Sequence, residues 1–254
     1  MNVADAALLM RRLPLALLLT LSGFIMPPSV MAIEPGTPIY AQVLLGQLQL
    51  NDDSLTLTRE GEQYDGKLDS LPYLGAAAQV VWRDGVIGYG WEGGGFVSWI
   101  NDHVDYFALS DRNGLRVWIH ADNVFWSVET FMGLFASLKP VHWLRCYVAG
   151  GPLAIYAVAK TEDAQTETVA TATTAAVTTP RTTGGSTIVI DVTNKDTDFH
   201  FGGYARAGFD LQFSDTVWAG FSVRYMKTRL KLEDSLGRLN IDAPLYQFSL
   251  TQRL

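Results

Sequence analysis

His103, Asp105, Ser110 and Asp111 fall within one short stretch, with His120 and Asp122 close behind. Serine, histidine and aspartate are the residue types of acyl transfer, in which a base takes the proton of a nucleophile and a carboxylate orients that base. The base must stand within about 3 Å of the hydroxyl, and the spacing here does not by itself bring any pair that close. The surrounding signals of catalysis are missing: no Gly-x-Ser-x-Gly, no paired histidines on one strand beside a serine, no cluster at metal-ligand spacing. Gly93-Gly94-Gly95 has no helix behind it to cradle a phosphate, and is expected to form a bulge or kink in a strand. Cys146, the single cysteine, lies in an apolar run and is expected to be an inert buried thiol. His142 and His200 suit interfacial polar positions better than ligation. The expectation is therefore a protein without catalytic residues, cofactor or metal, and not an enzyme.

What remains to explain is how so apolar a chain disposes of its charges. Of 254 residues, 48% are hydrophobic and 18% charged, with a formal charge of −7. That excludes wholesale disorder and does not suit a helical membrane bundle. Lys and Arg are scattered singly, so the basic stripe of a nucleic-acid binder is not seen. Arg11 and Arg12 precede an apolar run from Leu13 to Met26, followed by Pro27-Pro28 and Val30-Met31-Ala32. That run is shorter than the roughly 20 residues a membrane helix needs, and it reads as a secretory signal peptide, residues 1–32, cleaved after Ala32. No Cys follows, so lipoprotein processing is not expected. The mature domain would be 33–254, and losing Asp5, Arg11 and Arg12 takes the formal charge to −8.

The mature chain alternates. From Val217, the residues Val217, Ala219, Phe221, Val223 and Tyr225 share one face, and Trp218, Gly220, Ser222, Arg224 and Met226 share the other. Strands are expected near 38–50, 71–83, 86–100, 115–137, 142–160, 187–213, 216–232 and 238–254. Connections alternate between short (Asp84-Gly85, Leu138 to Val141, Ser214-Asp215) and long or moderate (51–70, 101–114, 161–186, 233–237). Long and short connections on opposite ends predict an all-β fold: an eight-stranded antiparallel up-and-down transmembrane β-barrel with periplasmic short turns. Trp82, Trp143, Phe213 and Trp218 lie beside the short turns and would form one aromatic girdle. Tyr73, Trp99, Tyr106, Trp118, Phe125, Trp126, Tyr156 and Phe201 would supply the other.

Gly203-Tyr204-Ala205-Arg206-Ala207-Gly208-Phe209, the run from Phe213 to Tyr225 and the closing Tyr246-Gln247-Phe248-Ser249-Leu250-Thr251-Gln252-Arg253-Leu254 resemble the small eight-stranded outer-membrane proteins of the OmpA and OmpX type. The resemblance is concentrated in the last 55 residues. It implies an outer-membrane location in a Gram-negative bacterium, and a last strand whose alternate residues Tyr246, Phe248, Leu250 and Leu254 are read by the barrel-assembly machinery. Terminal Leu in place of Phe, and Gln252 where an aromatic is common, depart from that pattern. The periplasmic peptidoglycan-binding domain of some relatives is expected to be absent. Eight-stranded outer-membrane enzymes that modify lipid A also exist and place Ser and His near the outer leaflet, which keeps that activity open as a minor alternative.

An eight-stranded barrel is just wide enough to be filled by its own side chains. By alternation Glu129, Arg206, Asp210 and Arg224 point inward, and unpaired they would be costly, so they are expected to pair with one another. Glu129 in particular is expected to meet Arg206 or Arg224 across the interior. Residues 161–198 hold 13 Thr and should form an extracellular loop, either a hairpin prolonging its strands or a mobile tip around Thr178 to Ser186. The function expected is non-enzymatic, serving envelope integrity or surface interaction through the extracellular loops. A porin-like narrow pore or conduit for small hydrophobic molecules is the alternative. The partners expected are outer-membrane lipid and lipopolysaccharide, the assembly machinery, and an extracellular partner at the loops. The chain is expected to be a monomer.

Overall fold

The period-two alternation carries through into eleven strands: β1 (Ile39–Gln49), β2 (Leu55–Arg59), β3 (Glu62–Gly66), β4 (Ser70–Arg83), β5 (Ile87–Ser110), β6 (Leu115–Val141), β7 (Leu144–Ala170), β8 (Ser186–Ile190), β9 (Asn194–Gln212), β10 (Val217–Leu232) and β11 (Gly237–Arg253). The computed structural model describes residues 38–51, 55–59, 62–66, 68, 70–110, 115–170, 186–190, 194–232 and 235–254, with the backbone alone at 59, 62–64, 102–110, 115–122, 162–170, 186–190 and 194. The expected signal peptide, residues 1–32, lies outside the described residues.

Eight strands pair in the ring β1-β4-β5-β6-β7-β9-β10-β11, every pair antiparallel, and β1 closes it by pairing with both β4 and β11. In the short-turn half, closure leaves no sheet edge among the described residues, which is how an all-β chain escapes edge-to-edge association. Three short turns, at 84–86, 142–143 and 213–216, gather at one end. The second falls later than expected, because β6 continues through an irregular step between Leu138 and Val141 before turning at His142-Trp143.

At the other end the sheet is taller than expected. The anticipated long connection 101–114 is mostly strand, since the β5–β6 ladder runs unbroken from Ile87↔Leu138 to Ser110↔Leu115. Polar composition suggested a loop, but a ladder that pairs every backbone group tolerates polar side chains on both faces in water. The connection 51–70 likewise contains a hairpin, β2–β3. It takes over the places of β1 and β4 in the wall, with Leu55 and Thr56 against Leu239 and Arg238, and Asp65 and Gly66 against Phe107 and Tyr106. Gly237 permits this junction: its φ is 86°, and a Cβ there would sit 2.4 Å from the Thr56 carbonyl oxygen. In the Thr-rich segment β7 continues to Ala170 and pairs with β8, so the backbone follows the hairpin alternative, while 171–185 lie outside the described residues.

The glycine triplet is not a bulge. Gly93, Gly94 and Gly95 keep regular register with Ala78, Ala77 and Ala76, and the irregularity in that pair of strands lies between Val81 and Arg83. Gly94 is there for space, since a Cβ would meet the Ala76 carbonyl oxygen at 2.3 Å. Cys146 is another correction: it is half-buried on the outward face of β7, between inward Arg145 and Tyr147.

Polarity inverts along the barrel axis. On β10 the outward residues Val217, Ala219, Phe221, Val223 and Tyr225 give way to Lys227, Arg229 and Lys231, while inward Ser222 and Arg224 give way to Met226, Leu230 and Leu232. On β11 the inward Leu239, Ile241, Ala243 and Leu245 give way to Gln247, Ser249 and Thr251 at the same level, where Arg224 faces Leu245. The short-turn half is therefore polar inside and apolar outside. The long-loop half has an apolar core, completed by Leu44, Leu48, Phe125 and Ile155 and covered by Leu55, Leu68 and Leu236.

Candidate functional site

Three acid–base pairs stack through the polar half of the interior. Nearest the short turns, Arg145 on β7 donates from Nε (3.0 Å) and Nη2 to Asp210 on β9, and Ser249 donates to the other Asp210 oxygen at 3.2 Å. The Arg145 guanidinium lies 4.3 Å from the Tyr40 ring centre, a cation–π contact out of water. Above it, Arg206 on β9 uses all three nitrogens: Nε to Ser222 (3.1 Å), Nη1 to Gln42 (3.1 Å) and Nη2 to the Tyr147 hydroxyl (2.7 Å). Its Nη1 is also 3.7 Å from Glu92 on β5, a carboxylate that accepts from Gln79 (2.8 Å) and Tyr204 (2.9 Å). The third pair, Arg224 with Glu129, lies where the interior turns apolar, its guanidinium 4.4 Å from the rings of both Phe131 and Tyr204.

All six charged side chains are almost fully buried. Each arginine has a carboxylate and an aromatic face, the arrangement that makes a buried guanidinium tolerable. Sequence alternation placed Glu129, Arg206, Asp210 and Arg224 inside, and the structure brings Glu129 to Arg224. It does not bring Arg206 to Asp210, because each has a partner the sequence reading missed: Glu92 and Arg145. Both were discoverable by phase. Glu92 alternates with outward Trp91 and Gly93, and Arg145 with Leu144 and Cys146.

The aromatic girdle needs correction. Trp82, Trp143 and Phe213 are exposed beside the short turns, Trp82 at 60%, but Trp218 is buried at 5%. Adjacency to a turn suggested the girdle, while the phase Trp218 shares with Ser222 and Arg224 sends it inside. Tyr73 and Phe125 are inside for the same reason, whereas Trp99, Trp126, Tyr156 and Phe201 are exposed toward the long loops. The side chains of Tyr106 and Trp118 lie outside the described residues. So do those of His103, Asp105, Ser110, His120 and Asp122, together with Asp111. His142 is exposed at its turn and His200 is half-buried on β9. Tyr246, Phe248, Leu250 and Leu254 all face outward beside the closing strand β1.

The closed ring has the architecture of the small outer-membrane barrels that the sequence resembles. No protein-family description matches the chain, and no curated protein does. Solved structures do. It is similar to Ail, the attachment invasion locus protein of Yersinia pestis, at 9% identity and a TM-score of 0.41, over 86% of this chain and 99% of that one. Neisserial surface protein A gives 8% identity and a TM-score of 0.36, over 87% and 97%. The outer membrane channel COG4313 of Pseudomonas putida F1 gives 7% and 0.24, over 91% and 100%. At such values the likeness is one of overall shape, and the architecture rests on the strand pairing itself.

The upper wall has one parted seam. β9 pairs with β10 only from Gly203 to Gln212; above that, β9 pairs with β7 alone and β10 with β11 alone. Side chains stitch the gap. Asp198 accepts the Phe199 amide (2.9 Å) and, across the seam, the Lys231 amide (2.7 Å), while Thr228 donates to the Phe201 carbonyl at 3.4 Å.

Proposed function

We propose that the chain is a non-enzymatic outer-membrane protein, anchored by the short-turn half of its barrel and acting through the half that stands in water. The polarity inversion carries this reading. A wall that is apolar outside and charged inside belongs in lipid, and one that is charged outside with a leucine core belongs in water. From Val217 to Tyr225 the outward apolar stretch of β10 spans roughly 26 Å along the strand, or about 20 Å along the membrane normal at a tilt of about 40°, the greater part of the apolar band of about 25 Å that such barrels present.

Its contribution to the envelope is a rigid, plugged stalk. Three buried ion pairs below and a leucine core above support a plug over a conduit, since a solute would have to displace both. The exposed alternate residues Tyr246, Phe248, Leu250 and Leu254 suit recognition by the assembly machinery, and a ring closed all round its short-turn half suits a monomer. The tall hairpins β5–β6 and β7–β8 are the surface on which an extracellular partner would act.

Fractionation tests the reading. The protein should sediment with outer membranes and migrate differently on a gel before and after boiling. Protease added to intact cells should cut within 171–185, and planar bilayers containing the protein should show no steady conductance. A soluble periplasmic monomer would overturn the membrane assignment, and a stable conductance would overturn the plug.

A further inference from the structure

Buried polar atoms without a partner are gathered in one part of the interior. Among the described residues ten buried side-chain nitrogens and oxygens lack a hydrogen-bond partner, and seven of them belong to six neighbouring side chains: Tyr73 Oη, Ser98 Oγ, Ser127 Oγ, Gln247 Nε2, Glu129 Oε2, and Nε and Nη1 of Arg224. The strand register explains the gathering. Gln247, Gly46, Tyr73, Ser98 and Ser127 are successive partners on one row across β11, β1, β4, β5 and β6. Glu129 lies two residues below Ser127 on the same inward face of β6, and Arg224 reaches it from β10. The Tyr73 hydroxyl faces Ser127 and both charges. A Cβ on Gly46 would stand 3.1 Å from the Gln247 side chain, which therefore lies over the one position of the row that has no side chain of its own.

The layer is closed along the barrel axis. Leu71, Ile100 and Phe125 stand two residues above Tyr73, Ser98 and Ser127 on the same strands, as part of the apolar core. Below, the rings of Phe96 and Phe131 stack with centroids 5.5 Å apart. The six polar side chains are each at most 2% exposed. The direct Arg224–Glu129 bond uses one carboxylate oxygen and one guanidinium nitrogen, and the two charges cancel, so the layer has no net charge with which to hold an ion. The rings of Phe131 and Tyr204, 4.4 Å from the guanidinium, offer it no lone pair. What stays open is a mixed set: N–H donors on Arg224 and Gln247, an acceptor on Glu129, and three hydroxyls that do either. Its ligand must donate and accept at once and be small enough to sit beside serines. Water meets both conditions, and at about three hydrogen bonds per buried water, seven open atoms suit roughly two or three of them.

We propose that the barrel interior binds a small cluster of ordered waters at this level, joining Glu129 Oε2 and the open Arg224 nitrogens to Tyr73, Ser98, Ser127 and Gln247. The inference deepens the plug reading, on which the sealed character of the site rests. The plug is then wet at one level, and the ion pair that sits where the interior turns apolar is completed by solvent taken in as the barrel closes. With apolar layers on both sides, these waters exchange with bulk only when the wall or the core opens locally.

The test is a crystal structure of the folded protein at a resolution that shows ordered solvent, together with water-to-protein NOEs read at the Arg224 Nε proton of the 15N-labelled protein in detergent micelles. Water oxygens should stand about 2.7–3.2 Å from Glu129 Oε2 and from Arg224 Nε, each shared with a hydroxyl of Tyr73, Ser98 or Ser127, and the Nε proton should show a water NOE. The variant S98V/S127V, which removes two hydroxyls and fills their space with methyl groups, should lose that NOE while keeping the heat-modifiable gel shift; if it does not fold, the wild-type measurements decide alone. Arg224 closing on both Glu129 oxygens, with Tyr73 donating directly to the carboxylate and no water NOE, would overturn the site. An undiminished NOE in the folded variant would do the same, as would an anomalous peak in the layer from crystals soaked in rubidium or bromide, which would put an ion where water is expected. A stable conductance in planar bilayers would instead overturn the plug and the sealing, with the crystal still reading the waters at the named atoms.

Discussion

Arg224 on β10 donates across the barrel interior to Glu129 on β6, 95 residues away in the chain and three strands around the ring. Neither strand touches the other through its backbone, so this pair couples two walls that the ladder leaves independent. Removing one partner strands the other charge, at a typical cost of about 3 to 5 kcal/mol. Glu129→Ala and Arg224→Ala should each lower the urea stability of the folded barrel by that order, and the double variant should lose less than the two together. Strict additivity would show that the two side chains do not interact.

The inversion between Tyr225 and Lys227 makes a sharper claim about where lipid ends. Nitroxides at 221, 223 and 225 should be relaxed by dissolved oxygen, and those at 227, 229 and 231 by a water-soluble nickel chelate. Val223→Lys should cost about 2 to 4 kcal/mol if the side chain faces the middle of the bilayer. Lys231→Val, on the same face but in water, should stay within about 0.5 kcal/mol of wild type. A gradual change of accessibility through 231 would place the boundary higher.

Alternation made the walls legible, because each strand carries its own phase: the phase of Arg224 is set by Val223 and Tyr225 beside it. Trp218 obeyed that phase and was misread only because its nearness to a turn was weighed first. Partner choice was not legible. That Arg206 meets Glu92 rather than Asp210 depends on strands separated around the ring, whose relative stagger is fixed only when the barrel closes. The β2–β3 hairpin left a local trace in Leu55-Thr56-Leu57-Thr58, but its place in the wall depends on β11 and β5 ending higher than β1 and β4.

Gly237 joins the turn 235–236 to the β2–β3 hairpin, and its φ of 86° is one that L side chains rarely adopt. Gly237→Ala adds backbone strain of about 1–2 kcal/mol and pushes a methyl group against the Thr56 carbonyl. The lower barrel does not depend on that contact. The variant should keep its gel shift and near-normal unfolding midpoint, while proteolysis around 51–61 speeds up. Loss of the folded barrel would mean that the hairpin is needed to close the ring.

Asp198 holds the seam where β9 and β10 part. Its two oxygens accept the Phe199 and Lys231 amides, one on each side, so one carboxylate satisfies donors that a continuous ladder would otherwise have paired. Opening there exposes few groups, and such regions exchange their amides by local fluctuation instead of global unfolding. Asp198→Ala removes both acceptors, and at about 1.4 kcal/mol for a hydrogen bond to a charged group the Phe199 and Lys231 amides should exchange roughly tenfold faster. Asp198→Asn, which retains an acceptor oxygen, should fall between. Amides of the continuously paired stretch from Gly203 to Gln212 provide the internal control and should not change. If they accelerate equally, the seam unfolds together with the membrane-embedded wall and is no separate unit. If neither Phe199 nor Lys231 responds, Asp198 is not what keeps the two edges together, and the Thr228 contact with the Phe201 carbonyl becomes the stitch to remove.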